Sequence, residues 1–134
     1  MKNFYNILWV DAIVNAKDYK NNDPGWKSSI FWLLTSMNAI NIIAVLFWLK
    51  YFNVYEHRFI FNFNSDLLAV GLIESLLNVL APIAIINYFL VFYRNRYKRL
   101  IAKNSHYEGK VALFYSLGSI FLLVITVVIL KIIK

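Results

Sequence analysis

Glu74 lies in the run GLIESLLNVLAPIAIINYFL, residues 71–90, where it is the only acid or base. A charged side chain at the centre of an apolar helix costs about 2.5–3.5 kcal/mol on insertion scales. The Leu, Ile, Val and Phe residues around it return about 0.3–0.6 kcal/mol each, so the helix inserts regardless. Insertion therefore tolerates Glu74 without explaining it. At helical spacing Gly71, Glu74, Ser75, Asn78 and Pro82 share one stripe, with Glu74 and Asn78 one turn apart. Two readings follow. In one, a neutral or hydrogen-bonded Glu74 pairs with Asn78, Asn38 or Asn41 and sets helix register. In the other, it faces water in a pore built by several copies and handles protons or cations.

Other chemistry is sparse. The two histidines, His57 and His106, are separated by a whole apolar segment, and neither has a ligand-spaced acid or second histidine. No metal site is expected. There are no cysteines, which excludes thiolate catalysis, disulfides and Cys-ligated metals. Asp11 and Asp18, seven residues apart, read as a solvated face rather than a paired-acid site. Phosphate-loop, nucleophile-elbow and HExxH patterns are missing. The chain reads as a non-enzyme without a cofactor.

Those residues must be carried by membrane helices. The 134 residues are 60% hydrophobic, with mean hydropathy +0.58. Soluble domains are about 45–50% apolar, so much of this surface must face lipid or other helices. The expected fold is all-α: three transmembrane helices over about residues 28–49, 66–93 and 110–132. One integral domain covers residues 1–134. In the first helix, Asp23 is the expected cap and Pro24 the first helical residue. Asn64, Ser65 and Asp66 would cap the second, and Pro82 should bend it. The third follows a turn at Gly109; despite its β-branched residues, lipid demands internally bonded backbone and therefore a helix. No cleavable leader is expected, the first span serving as signal anchor.

Each span carries one polar stripe: Thr35, Asn38 and Asn41 in the first, Glu74, Ser75 and Asn78 in the second, Ser116, Ser119 and Thr126 in the third. Turned inward, their amides and hydroxyls can satisfy one another. The pairs Thr35/Ala39, Gly71/Ser75 and Ala112/Ser116 are small residues one turn apart, a spacing that lets backbones approach closely.

Outside the spans, Phe4–Tyr19 reads as an amphipathic helix over about residues 4–20, lying in the interface with Trp9 as anchor. Packing against a partner is the alternative, and Ile7, Val10 and Ile13 blur its polar face. In residues 50–66, Phe59, Phe61 and Phe63 alternate as in a strand, but a lone hairpin is marginal, so a surface-resting segment is expected. In YRNRYKRLIAKNSHYEGK, residues 93–110, the second helix is expected to continue about two turns beyond the bilayer. Its Arg94, Arg96, Lys98, Arg99 and Lys103 form a basic patch suited to anionic lipid headgroups. Nucleic acid is not an expected partner, since eighteen residues build no recognised module. The partners expected are the bilayer itself and either further copies of this chain or another membrane protein.

The segment APIAIINYFLVFYRNRYKRLI, residues 81–101, resembles one found in small multi-span bacterial membrane proteins of unknown function. In those, a Pro-bearing helix ends in Asn-Tyr-Phe and a basic tail; the resemblance implies no activity. The abundance of Asn, Ile, Lys, Phe and Tyr also fits an AT-rich bacterial genome.

A small membrane subunit or scaffold is the leading reading. A homo-oligomeric channel or membrane-perturbing effector with Glu74 in a polar path is the alternative. Of the fourteen Lys and Arg, only Lys50, Arg58, Lys131 and Lys134 lie on the side holding the first loop and the C-terminus. Lys/Arg excess marks the cytoplasmic face, so the N-terminus should lie inside and the C-terminus outside. A reporter active only in the periplasm, fused after Lys134, is expected to give signal; silence would reverse the topology.

Overall fold

The computed structural model describes residues 3–54, 68–104 and 107–133, without the side chains of 68–72, 75 and 76. Among these residues there is no strand. Helix α1 covers Phe4–Asn15, the single turn α2 Lys17–Lys20, α3 Trp26–Tyr51, α4 Leu68–Asn87, α5 Arg96–Lys103 and α6 Lys110–Ile133. Three stretches are long and apolar enough to cross a bilayer: α3, the run from Leu77 to Lys103 that begins in α4, and α6. The protein is therefore membrane-integral. The alternating Phe59, Phe61 and Phe63, both histidines and the caps Asn64, Ser65 and Asp66 lie outside the described residues.

Helix α3 is central and packs against both α4 and α6. Only 11% of the most apolar window of α6 is buried. Phe114, Leu117, Phe121 and Val124 are exposed on it. An apolar surface of that extent is tolerable only in lipid or against a partner.

Helix α1 departs most from expectation. Where the sequence places Trp9 at the headgroups, the structure buries it completely, along with Leu8, Val10 and Ile13. Helix α1 packs on α6, α5 and α3. Leu8, Trp9 and Ile13 form one cluster with Trp26, Ile30 and Leu34 of α3, Val91, and Tyr97 of α5. The physical reason is visible in Ile7, Val10 and Ile13: a helix apolar nearly all round is a buried helix, not a surface one.

Asp11 makes that burial possible. Expected on a solvated face, it is fully buried. Its Oδ1 accepts from the backbone N–H of Tyr107 and of Gly109 (3.0 Å), and its Oδ2 from that of Ala112 (3.1 Å). The Asn15 amide donates to the Asp11 carbonyl at 2.9 Å and to Oδ1 at 3.3 Å. The opening N–H groups of a helix lack intrahelical partners and favour a negative charge. Asp11 thus caps α6 from the opposite end of the sequence. The turn that presents those amides uses left-handed backbone at Glu108 (φ 56°) and Gly109 (φ 79°). A β-carbon on Gly109 would lie 3.3 Å from Cβ of Asn15.

Two element ends also differ. Asp23 does not cap α3 directly: its carboxylate accepts from Gly25 N at 2.9 Å, forming a turn after which the helix starts at Trp26. Helix α4 runs through Pro82 and then leaves α geometry in a π-helical turn, Tyr88–Phe92. Arg94 (φ 51°) and Asn95 (φ 57°) are both left-handed, so α5 is a separate helix rather than an extension of α4. Non-glycine residues in that region cost about 1–3 kcal/mol each and persist only where the surroundings over-determine them. The packing of Tyr97 against Trp26, with ring centroids 5.2 Å apart, is one such determinant.

Asp11→Ala leaves the N–H groups of Gly109 and Ala112, and that of Tyr107 just before the helix, without their acceptor; it is expected to cost about 2–6 kcal/mol, at about 1–3 kcal/mol for each of the two at the helix start. Asp11→Asn keeps one acceptor oxygen and should cost less. Thermal unfolding in detergent, with hydrogen exchange at the amides of Tyr107, Gly109 and Ala112, measures both effects.

Candidate functional site

The expected inward stripe exists on α3, and its residues divide between two neighbours. Asn38 and Asn41 turn to α6. The Asn41 amide donates to the Tyr115 hydroxyl and to Ser119 Oγ, both at 2.9 Å. The Tyr115 hydroxyl donates to Asn38 Oδ1 at 2.5 Å, and Ser119 Oγ donates to the Tyr115 carbonyl at 2.8 Å. Thr35 belongs to a second set with α4 and α1. Tyr5 donates its hydroxyl to Asn87 Oδ1, and the Asn87 amide donates to Thr35 Oγ1 at 3.0 Å. Burial pushes the Tyr5 hydroxyl above its ordinary titration range, which keeps it a donor. Nearer the end of α3 that carries Tyr51, Trp48 Nε1 donates to Thr126 Oγ1 at 3.1 Å.

Among the described side chains of α4 the buried ones are Val79, Ile83 and Asn87, at spacings of four, a row that the positions of Gly71 and Ser75 continue. Asn78 and Pro82 sit one residue earlier in each turn, about 100° round the helix. Glu74 and Asn78 are half-buried, and the Asn78 amide donates to the Glu74 carbonyl at 2.8 Å. Ser116 is half-buried. Ala112 packs against the cluster that holds α1, so this small residue serves an internal contact. The contacts of Gly71 and Ser75 lie outside the described residues.

A groove of about 520 Å³ opens beside the two hydrogen-bonded sets. Its lining combines Asn3, Tyr5, Asn38, Asn41, Asn87 and Tyr115 with Ile42, Ile83, Ile86 and Leu90. Amides and phenols at these distances exchange neutral hydrogen bonds. Among the described residues no three acids or imidazoles gather where a metal could be held. The basic patch is exposed: Arg94, Arg96, Lys98, Arg99 and Lys103 all face outward, while Tyr97 between them is buried. Arg96 donates to the Phe89 carbonyl at 3.0 Å, satisfying one acceptor freed where α4 ends.

Sequence reasoning missed Tyr5, Asn87 and Tyr115. Asn87 carried a usable signal, since it continues the Val79, Ile83 row at the next turn. Tyr5 and Tyr115 read as interfacial aromatics by composition, and only the placement of α1 gives their hydroxyls work inside. Trp9 Nε1 is the one buried side-chain donor or acceptor without a partner among the described residues.

Compared with family models, curated proteins and solved structures, the chain matches none.

A double-mutant cycle of Asn41→Ala with Tyr115→Phe is expected to give a coupling of about 0.6–1.7 kcal/mol, the range for hydrogen bonds between membrane helices. Asn87→Ala should loosen both Tyr5 and Thr35 and, because Asn87 is fully buried where Asn41 and Tyr115 are half-buried, cost at least as much as either substitution of the cycle alone. Unfolding in mixed micelles measures all of these.

Proposed function

We propose that this protein is a small non-enzymatic subunit or scaffold of a membrane complex. One observation carries the reading: the interior polar side chains of α3 and α6, with Asn87 of α4 and Tyr5 of α1, bond one another and tie helices together. A conduit needs such groups turned to water. Here Asn38, which the channel reading would place in a path with Glu74 and Asn78, accepts from the Tyr115 hydroxyl, and the Asn78 amide donates to the Glu74 carbonyl. The outward faces supply association surface, above all the apolar flank of α6 around Gly118, whose surroundings are open.

The location proposed is a bacterial cytoplasmic membrane, with the basic end of the bundle inside and the C-terminus outside. The support is the distribution of Lys and Arg, which gathers Lys27, Arg94, Arg96, Lys98 and Arg99 at one end.

Purification in mild detergent tests the function. A distinct membrane protein retained at fixed stoichiometry is expected; a ring of identical subunits that conducts ions in planar bilayers would replace this reading with the channel. Glu74→Gln keeps shape and removes charge, and is expected to leave that assembly and growth unchanged.

A further inference from the structure

The break between α4 and α5 creates a hollow. Lys27, Ser28 and Phe31 of α3 line it on one side; Tyr88, Phe92, Arg94 and Asn95 line it on the other, and the cavity is about 450 Å³. That volume falls in the usual range of small-molecule sites, about 300–1,000 Å³. Arg94 also forms a wall of a second hollow of about 370 Å³, with Phe89, Tyr93, Arg96 and Arg99. Arg94 therefore lines two cavities, at the point where its left-handed backbone ends the run of α4.

The charge here is one-sided. Among the described residues the single ion pair is Lys110 with Glu108. Lys27 is held by aromatic rings instead, its ammonium 5.1 Å from the Tyr97 centroid and 5.8 Å from that of Trp26. The Arg94 guanidinium lies 5.2 Å from the ring of its neighbour Tyr93. Ring contacts orient a cation without neutralising it. Two oriented cations thus share a cavity with two hydroxyl-bearing residues, Ser28 and Tyr88, and an amide, Asn95, and no carboxylate lines it.

Depth gives the ligand its second half. Lys27 is the second residue of a membrane-spanning helix, so the cationic mouth lies where the span leaves hydrocarbon. Phe31 lies one turn, about 6 Å, further in. With Tyr88 and Phe92 it makes an aromatic wall beneath the cations. A ligand that satisfies both halves has an anionic phosphodiester at the mouth and hydrocarbon below it.

We infer that the hollow formed by Lys27, Ser28, Phe31, Tyr88, Phe92 and Arg94 is a binding site for an anionic glycerophospholipid, its phosphate between Lys27 and Arg94. This differs from a diffuse basic surface. Lys98 and Lys103 line neither hollow and contribute only general attraction. The assignment needs membrane insertion but not the scaffold reading, and either can fail alone.

The test uses the full chain in detergent, titrated with phosphatidylglycerol or phosphatidylcholine in mixed micelles, with bound lipid counted by native mass spectrometry. Lys27→Ala with Arg94→Asn removes two charges, and asparagine tolerates the left-handed backbone. Lys98→Ala with Lys103→Ala removes the same charge outside the hollows and is the control. Unchanged thermal unfolding certifies each pair; if the first pair unfolds early, Lys27→Gln alone replaces it. The expected result is retention of phosphatidylglycerol over phosphatidylcholine, weakened about tenfold by the first pair and less than twofold by the second. Equal losses from both pairs, or no preference between the lipids, would overturn the site. Displacement of the lipid by millimolar inorganic phosphate would assign the cations to free phosphate and overturn the lipid.

Discussion

A buried carboxylate must find donors, and Asp11 finds three in the backbone that opens α6. Most of the architecture at the basic end follows from that exchange. The amides gain an acceptor they could not obtain from water, and the acid gains a site where its charge is wanted. The reciprocal need fixes α1 in one position along α6. From there Trp9 reaches Phe92 edge-on at 5.7 Å, and Tyr5 reaches Asn87. Helix α1 acts as a wedge joining α6 to the end of α4, two helices that barely touch among the described residues.

Away from the wedge, α3 organises the bundle by hydrogen bonding rather than by apolar burial. Lipid tails are as apolar as leucine, so sequestering Leu and Ile gives little drive for helices to meet in a bilayer. Directional contacts must set register. Asn38 and Asn41 do this toward α6, Thr35 toward α4, and Trp48 with Thr126 repeats it further along. Ala39 and Ala44, both fully buried on α3, show where close approach is needed. The packed cluster of Ala39, Val79 and Ile83 supplements these bonds on the α4 side.

Much of this was legible in the sequence, and the remainder was hidden for identifiable reasons. The three long apolar runs, the turn at Gly109 and the inward amides of α3 follow from composition and spacing, because hydrocarbon leaves a chain few options. Asp11 could not be read, since its partners are backbone amides about a hundred positions away and carry no side-chain signature. The break at Arg94 and Asn95 was nearly silent: neither glycine nor proline marks it, only Asn95 is of a type at ease in left-handed backbone, and the docking of Tyr97 helps to hold it. Helix α1 was misplaced because Trp9 carries two meanings, an interfacial anchor or a core residue. The isoleucines and valine beside it settle the matter only when counted as burial rather than noise.

The sequence distance between Asp11 and its amides has a consequence for how the molecule is made. Helix α1 is synthesised well before its partners: the amides that Asp11 accepts from, and the ring of Tyr97 against its cluster, belong to chain made roughly 100 residues later, about 5–20 s at ordinary elongation rates. During that interval a helix with almost no polar face waits with its acid uncommitted. Assembly of the basic end therefore requires that α1 stay within reach of the membrane until the opening turn of α6 is made and can take up Asp11.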